Sequence, residues 1–208
     1  MNISYNRFAG QSVERLAALS DGIFAVAMTL LVLDLHVPTR GFVHSDGDLR
    51  HALMAMSPQL VVYLMSFVTL GIFWVGQQTQ LSHVERSDRD LTWIHLAFLF
   101  AVTLLPFSTR LLAEFISYRG ALLIYWSNIL LFGVLLYLIW GRAIRAGLVK
   151  GDTPAEAPAA ICRRIVVGQS LYAFGALLCV FNTYWSIALI VLVQLNYAIA
   201  PRIGKRQD

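Results

Sequence analysis

The chain has 208 residues, 58% of them hydrophobic and only 13% charged, with a formal net charge of +4. A water-soluble domain is roughly 45–50% apolar and about 25% charged, so this balance excludes an ordinary soluble globular fold. The apolar residues gather in long blocks between short polar stretches, as membrane spans do, and the mean hydropathy is +0.65.

In chain order, the first span is expected over 16–35, ended by His36-Val37-Pro38. No small-residue cleavage site follows it, so it reads as a mature span and not a secretory signal. The segment 44–56 is polar and then amphipathic, the pattern of a short helix on the outer surface. Further spans are expected over 60–77 after Pro58, over 91–115 with Pro106 inside, over 121–144, over 165–181 and over 185–203. A Pro/Ala/Gly/acid loop occupies 150–160. Each span is long enough for a hydrocarbon core of about 30 Å at about 1.5 Å per residue. The sequence shows no internal repeat, and 1–208 reads as one all-α membrane domain.

Six spans put both termini on one side. That side would carry Arg7, Arg15, Arg86, Arg89, Arg142, Arg145, Lys150, Arg163, Arg164, Arg202, Lys205 and Arg206, against Arg40, Arg50, Arg110 and Arg119 on the other. The excess predicts cytoplasmic termini, in a cell membrane. It also explains the pI near 9.3; no nucleic-acid-binding motif accompanies the basic charge. Trp74, Trp93, Trp126, Trp140 and Trp185 lie near the predicted span ends, where tryptophan forms interfacial belts. Cys162 and Cys179 are seventeen positions apart on one expected helix, roughly 25 Å, too far for a disulfide. No Cys/His spacing suggests zinc.

Asp21 is the most informative residue, because an ionisable group inside a span costs several kcal/mol unless it finds a partner or water. Arg15 lies six positions earlier, about 600° around the helix, so the two face different neighbours. Two readings stand: a packing network at the helix entry, or a cation attractant at a pore mouth. Further along, Gly22, Val26, Thr29 and Leu33 fall on one stripe bordered by Leu30. By periodicity alone this stripe is a helix-packing face. Asp34, at the outer end, reads either as a solvated cap or as part of an acidic ring around a symmetric pore. On the third span Arg110 and Glu114 are four apart, the spacing of a local ion pair.

The run from Arg15 through Ser20-Asp21 and Thr29 to Asp34 resembles the first-helix signature of the transmembrane protein 175 family, lysosomal and prokaryotic potassium channels. The family pattern is Arg, three residues, then Phe-Ser-Asp, and Leu19 stands here for the Phe. Phe73-Trp74, closing the second span, and Leu104-Leu105-Pro106-Phe107 in the third extend the match. The resemblance implies an all-α channel of six spans per subunit and a homotetramer with the first helix lining the pore. It implies potassium as the permeant ion and no cofactor. The family's constriction maps onto Val26, Leu30 and Leu33, and its pore-facing hydroxyl onto Thr29. Arg15, Ser20 and Asp21 would tie helix one to its neighbours, with Trp74 and His95 as partners and Asp34 at the outer mouth. No Thr-Val-Gly-Tyr-Gly filter is present, in keeping with that family. Relatives often carry a His pair just after the Phe-Trp; Gln77-Gln78 stand here, which hydrogen-bond but do not titrate.

A secondary transporter would want broken helices or midplane charges, and Pro106 is the only strong breaker. An intramembrane enzyme would want a Ser/His, paired-Asp or HExxH arrangement at bilayer depth, and none is found. A non-conducting membrane scaffold is the remaining alternative.

Overall fold

The computed structural model describes residues 12–38, 41 and 43–199. Arg7, Arg40, Arg202, Lys205, Arg206 and the expected end of the sixth span beyond 199 lie outside the described residues.

Among the described residues seven α-helices follow one another: α1 Val13–Val32, α2 Asp46–Ala55, α3 Ser57–Ser82, α4 Arg89–Glu114, α5 Arg119–Arg145, α6 Ala157–Leu177 and α7 Thr183–Ile199. The starts are written in the sequence. Ser12 and Ser45 accept hydrogen bonds from Arg15 N and Asp48 N, and Asp88 accepts one from Leu91 N at 2.8 Å. Pro58 and Pro158 open α3 and α6, where a missing N–H costs nothing. α5 stops at Gly147, whose φ of 63° lets Leu148 N close back onto Ala143 O at 2.9 Å.

Among the described residues, α1, α3, α4, α5 and α6 with its short 3-10 extension are long and apolar enough to cross a membrane; α7 is apolar but shorter, at 17 residues. α2 buries no side chain. Several boundaries differ from expectation: α6 begins at Ala157, eight residues before the predicted 165 and inside the segment expected to be a loop, and α3 begins at Ser57, three before the predicted 60. α1 ends three residues early, and α3 runs to Ser82, beyond both the predicted 77 and the Phe73-Trp74 that was to close it. The extra turns carry Gln77 and Gln80, polar residues that are buried because they find partners inside the bundle.

α4 and α5 form the central antiparallel pair. An aromatic ladder binds the layers around it: Phe24 of α1 meets Phe98 of α4 (6.0 Å between centroids), Phe98 meets Phe132 of α5 (6.0 Å), and Phe132 meets Phe73 of α3 (5.0 Å). Trp140, expected in an interfacial belt, is instead fully buried and donates to Pro158 O at 3.2 Å, fastening α6 to α5. Trp93 and Trp185 are exposed, as a belt requires. Both cysteines are free thiols.

At one end of the bundle the loops after α3 and α5 pair through an antiparallel bridge, Val84 with Val149. Arg142 there spans Asp88, at 3.1 Å from Nε, and Asp90, also at 3.1 Å. Arg86, Arg142, Arg145 and Lys150 gather at this end, which is also where α1 begins. At the opposite end Arg119 caps Val180 O at 2.8 Å. Arg110 faces Asp34 of the α1 C-terminal turn, at 3.9 Å, and not Glu114 as expected. An exposed i,i+4 pair gains only a few tenths of a kcal/mol, too little to hold Arg110 to its own helix.

Burial alone would raise the Asp88 carboxyl, but hydrogen bonds from Arg142 and Leu91 N and the Arg142 charge outweigh it and hold the group below the usual carboxylate range. A depressed folded pKa means that this stabilisation is complete above the unfolded value near pH ~4 and is lost as pH falls through the lower folded one. Asp88→Ala removes both the α4 cap and one of the two carboxylates that hold Arg142. It should cost roughly 1–2 kcal/mol at neutral pH, read as a lower Tm in detergent, with the gap to wild type closing only in acid. An unchanged neutral-pH Tm would show that the cap is dispensable.

Candidate functional site: the anchored first helix

α1 has two unlike sides. Phe24, Ala27 and Leu31 are 1–2% exposed and packed in the bundle. On the opposite side, Val26 is 57% exposed, Leu30 43% and Leu33 72%. Thr29 lies on that open side, its hydroxyl donating to Val26 O at 2.8 Å. The donation spends the only proton of the hydroxyl and leaves the oxygen as an acceptor. The predicted stripe is therefore an uncovered apolar face of the single chain, interrupted by one acceptor oxygen.

Polar contacts at its entry hold that face in place. Ser20 is completely buried. Its hydroxyl donates to Leu16 O at 2.7 Å, accepts from Gln77 Nε2 at 2.9 Å, and lies 2.8 Å from His95 Nε2. With the hydroxyl proton committed to Leu16, His95 must be the donor, which assigns the proton to Nε2. The ring's Nδ1 then carries a lone pair with no partner, a smaller penalty than an unpartnered N–H. One turn-face away, Asp21 accepts from the Trp74 indole N–H at 2.8 Å and from Gln78 Nε2 at 2.6 Å. Both donors to the Asp21 carboxylate come from α3, so Asp21 fastens α1 to α3 while Ser20 fastens it to both α3 and α4.

Of the five anchor residues predicted, the structure brings together Ser20, Asp21, Trp74 and His95. Arg15 is exposed, and among the described residues its guanidinium makes no hydrogen bond or ion pair. Its backbone N–H serves the Ser12 cap instead. Gln77 and Gln78, noted in the sequence as departures from a His pair, are themselves partners in the anchor. Asp34 is partly buried and faces Arg110.

A second buried network escaped the sequence reading. Tyr125 of α5 lies 3.2 Å from both Ser66 and Thr69 of α3; Thr109 of α4 donates to Ser66 at 2.8 Å, and Gln194 of α7 donates to Thr69 at 2.6 Å. An amide in the apolar run of α7 was the available signal, since a lone Gln in a span needs a partner. Among the described residues no group of three His, Cys, Asp or Glu side chains could hold a metal ion.

The fold and anchored helix define a polytopic α-helical membrane protein, and comparison with known proteins specifies which. Residues 15–106 match the family model described as "Endosomal/lysosomal potassium channel TMEM175". A potassium channel of Streptomyces collinus is 36% identical over 155 residues, 73% of each chain. A potassium channel of Chamaesiphon minutus is 29% identical over 189 residues, 89% of this chain and 93% of its own. The crystal structure of a lysosomal potassium-selective channel TMEM175 homolog from Chamaesiphon minutus matches with a TM-score of 0.79 and 27% identity, over 90% of this chain and 97% of that one. The chain belongs to the TMEM175 family, a family of ion channels and not of enzymes. The matched segment 15–106 runs from Arg15 to Pro106 and so contains α1 from its third residue onward and every residue of its anchor.

Ser20→Ala would leave both His95 and Gln77 without their shared partner in a dry site. It should destabilise by roughly 1–3 kcal/mol, seen as a fall in Tm, whereas Ser20→Thr, which keeps the hydroxyl, should recover most of the loss. Equal losses in the two variants would place the cost in packing and not in hydrogen bonding.

Proposed function

We propose that this protein is a passive, weakly selective potassium channel of the cell membrane, a homotetramer whose four α1 helices line a central pore. The observation that carries the reading is the apolar face of α1, exposed at Val26, Leu30 and Leu33 and pinned at one end by the Ser20 and Asp21 contacts. Relatives named as potassium channels over most of the chain support it.

Four copies of Val26, Leu30 and Leu33 would form stacked apolar rings, which resist wetting and so gate a narrow pore. Thr29 lies between them, and its four copies would offer a partly dehydrated cation acceptor oxygens. Potassium gives up water more readily than sodium, so a narrow, weakly polar constriction favours it. Asp34, held near Arg110, would set negative charge at the outer mouth. Ser20, Asp21, Trp74 and His95 fix the helix, with Arg15 exposed at its cytoplasmic entry. Both termini would lie in the cytoplasm, beside the basic cluster around Arg142 and Lys150. Potassium is the permeant ion, and no cofactor takes part.

The test is ion flux in liposomes holding the purified protein under a potassium gradient. The gradient should collapse without counter-substrate or saturation. Thr29→Ala should reduce the preference for potassium over sodium, and Leu33→Ala should raise leak. Val26→Leu, which enlarges a ring, should lower conductance. A conducting protein indifferent to all three substitutions would keep its channel activity but lose this pore; saturable flux that needs a second ion would make it a transporter.

A further inference from the structure

An open groove of about 690 Å³ runs along the bundle between α1 and α3. Most of its wall is apolar: Ala25 and Met28 of α1, and Phe67, Gly71, Ile72 and Val75 of α3. A Cβ placed on Gly71 would meet nothing within 4 Å, so the middle of the groove is unobstructed. Arg164 of α6 and Tyr197 of α7 also line it. Both lie toward the end of the bundle where α1 begins. Arg164 is seven residues into α6, about 10 Å along the helix, and Tyr197 is two residues before the end of α7.

The polar groups at that end fix the chemistry of an occupant. The Arg164 guanidinium lies over the Tyr197 ring, 5.9 Å from its centroid. Among the described residues Arg164 has no carboxylate partner, and neither its N–H groups nor the Tyr197 hydroxyl makes a hydrogen bond. Asp21, on the α1 rim of the groove, is engaged by Trp74 and Gln78 and forms no ion pair with Arg164. The groove thus joins unused cationic and phenolic donors to a long apolar wall, which suits an anionic head on an apolar tail. A second copy of the chain suits it less. The open face of α1 at Val26, Leu30 and Leu33 is apolar, and seating it here would cover the Arg164 charge without pairing it.

We propose that this groove binds an anionic phospholipid from the leaflet on the side where α1 begins. The lipid phosphate accepts from Arg164 and Tyr197, and one acyl chain lies along Ile72 and Gly71 toward Phe67 and Met28. A long arginine side chain reaches from its helix toward the headgroup level while its stem stays among apolar groups. Trp74, whose indole N–H holds Asp21, also lines the groove, so a bound lipid packs against the anchor of α1. The inference rests on these walls and donors and stands or falls apart from the pore assignment.

Native mass spectrometry of the full chain in detergent, titrated with phosphatidylglycerol or with phosphatidylcholine of the same acyl chains, tests it. The wild type should retain phosphatidylglycerol about five-fold more tightly, the effect of one basic residue near an anionic lipid. Arg164→Gln should bring the two lipids level. Arg145→Gln, which removes an exposed cation at the same end of the bundle but outside the groove, should leave the preference intact. Gly71→Leu should weaken both lipids by filling the groove, and Gly71→Ala should weaken them less, which keeps this arm readable should the larger side chain prevent folding. Glycerol phosphate, the head without its tail, should not displace the lipid. Equal retention of the two lipids by the wild type, a preference that survives Arg164→Gln or is lost equally in Arg145→Gln, binding unchanged in both Gly71 variants, or displacement by glycerol phosphate would overturn the proposal. So would the absence of any retained lipid, the result expected if a second copy of the chain fills the groove.

Discussion

The structure depends on one buried hydroxyl. Ser20 joins three helices within hydrogen-bond distance, and none of its contacts can be replaced by water at that depth. A hydroxyl is well suited to the position because it combines one donor with two acceptor lone pairs on a small atom. Leu16 O takes the proton, and Gln77 and His95 supply donors. Every hydrogen-bonding valence of Ser20 is used, which turns a polar liability inside a span into a fixed point of the bundle. Asp21, the next residue, extends the attachment to Trp74 and Gln78 and spreads its charge over two donors.

From that point the division of α1 into two sides follows. Once Ser20 faces inward, the helical repeat carries Phe24, Ala27 and Leu31 inward too, and turns Val26, Thr29, Leu30 and Leu33 outward. The aromatic ladder from Phe24 to Phe98, Phe132 and Phe73 continues the inward side through the whole bundle. Outward orientation of the stripe is thus a consequence of the anchor and not an independent choice. An apolar face needs no covering in lipid, so exposure alone says little. Its significance comes from the Thr29 oxygen at its centre and from family membership.

Much of this was legible beforehand. Long apolar blocks gave the helices, since a span must satisfy its backbone internally, and Pro38 and Pro58 marked the end of the first and the start of the next. The Ser20-Asp21 pair was recognisable because polar groups in a span demand partners. Trp74 and His95 were expected there, but the sequence did not show which serves Ser20 and which Asp21, nor that Gln77 and Gln78 join them. Trp140 looks like a belt residue until α6 is seen to cross it with Pro158 O. Arg110 has Glu114 one turn away, yet the arrangement of α1 against α4 brings Asp34 opposite. Gln77 was noted only for the His it stands in place of, yet it and Gln80 are interior, because α1 and α5 present matching groups. Tyr125, Ser66, Thr69 and Gln194 are separated by as many as 128 positions from Ser66 to Gln194, and only the packed bundle makes them neighbours. In each case the missing information was the pairing of helices, which no local pattern encodes.

The placement of fastenings along α1 has a mechanical consequence. Its polar attachments to other helices are concentrated at Ser20 and Asp21, near one end. Beyond Phe24 the helix is held by apolar packing on one side and by a single exposed ion pair at 3.9 Å, which contributes little in water. Dispersion and burial resist separation but are tolerant of sliding and small rotation, whereas the Ser20 and Asp21 hydrogen bonds are directional. Any pivot of a helix so attached would centre on its entry turn. The residues displaced furthest by such a pivot are those farthest from it, Leu30 and Leu33, and a rotation of a few degrees there would change the width of any ring they form. In the proposed pore, stability and gating would thus draw on different parts of one helix: the anchor sets where α1 stands, and the lightly held turns beyond it would set how far the apolar face can move.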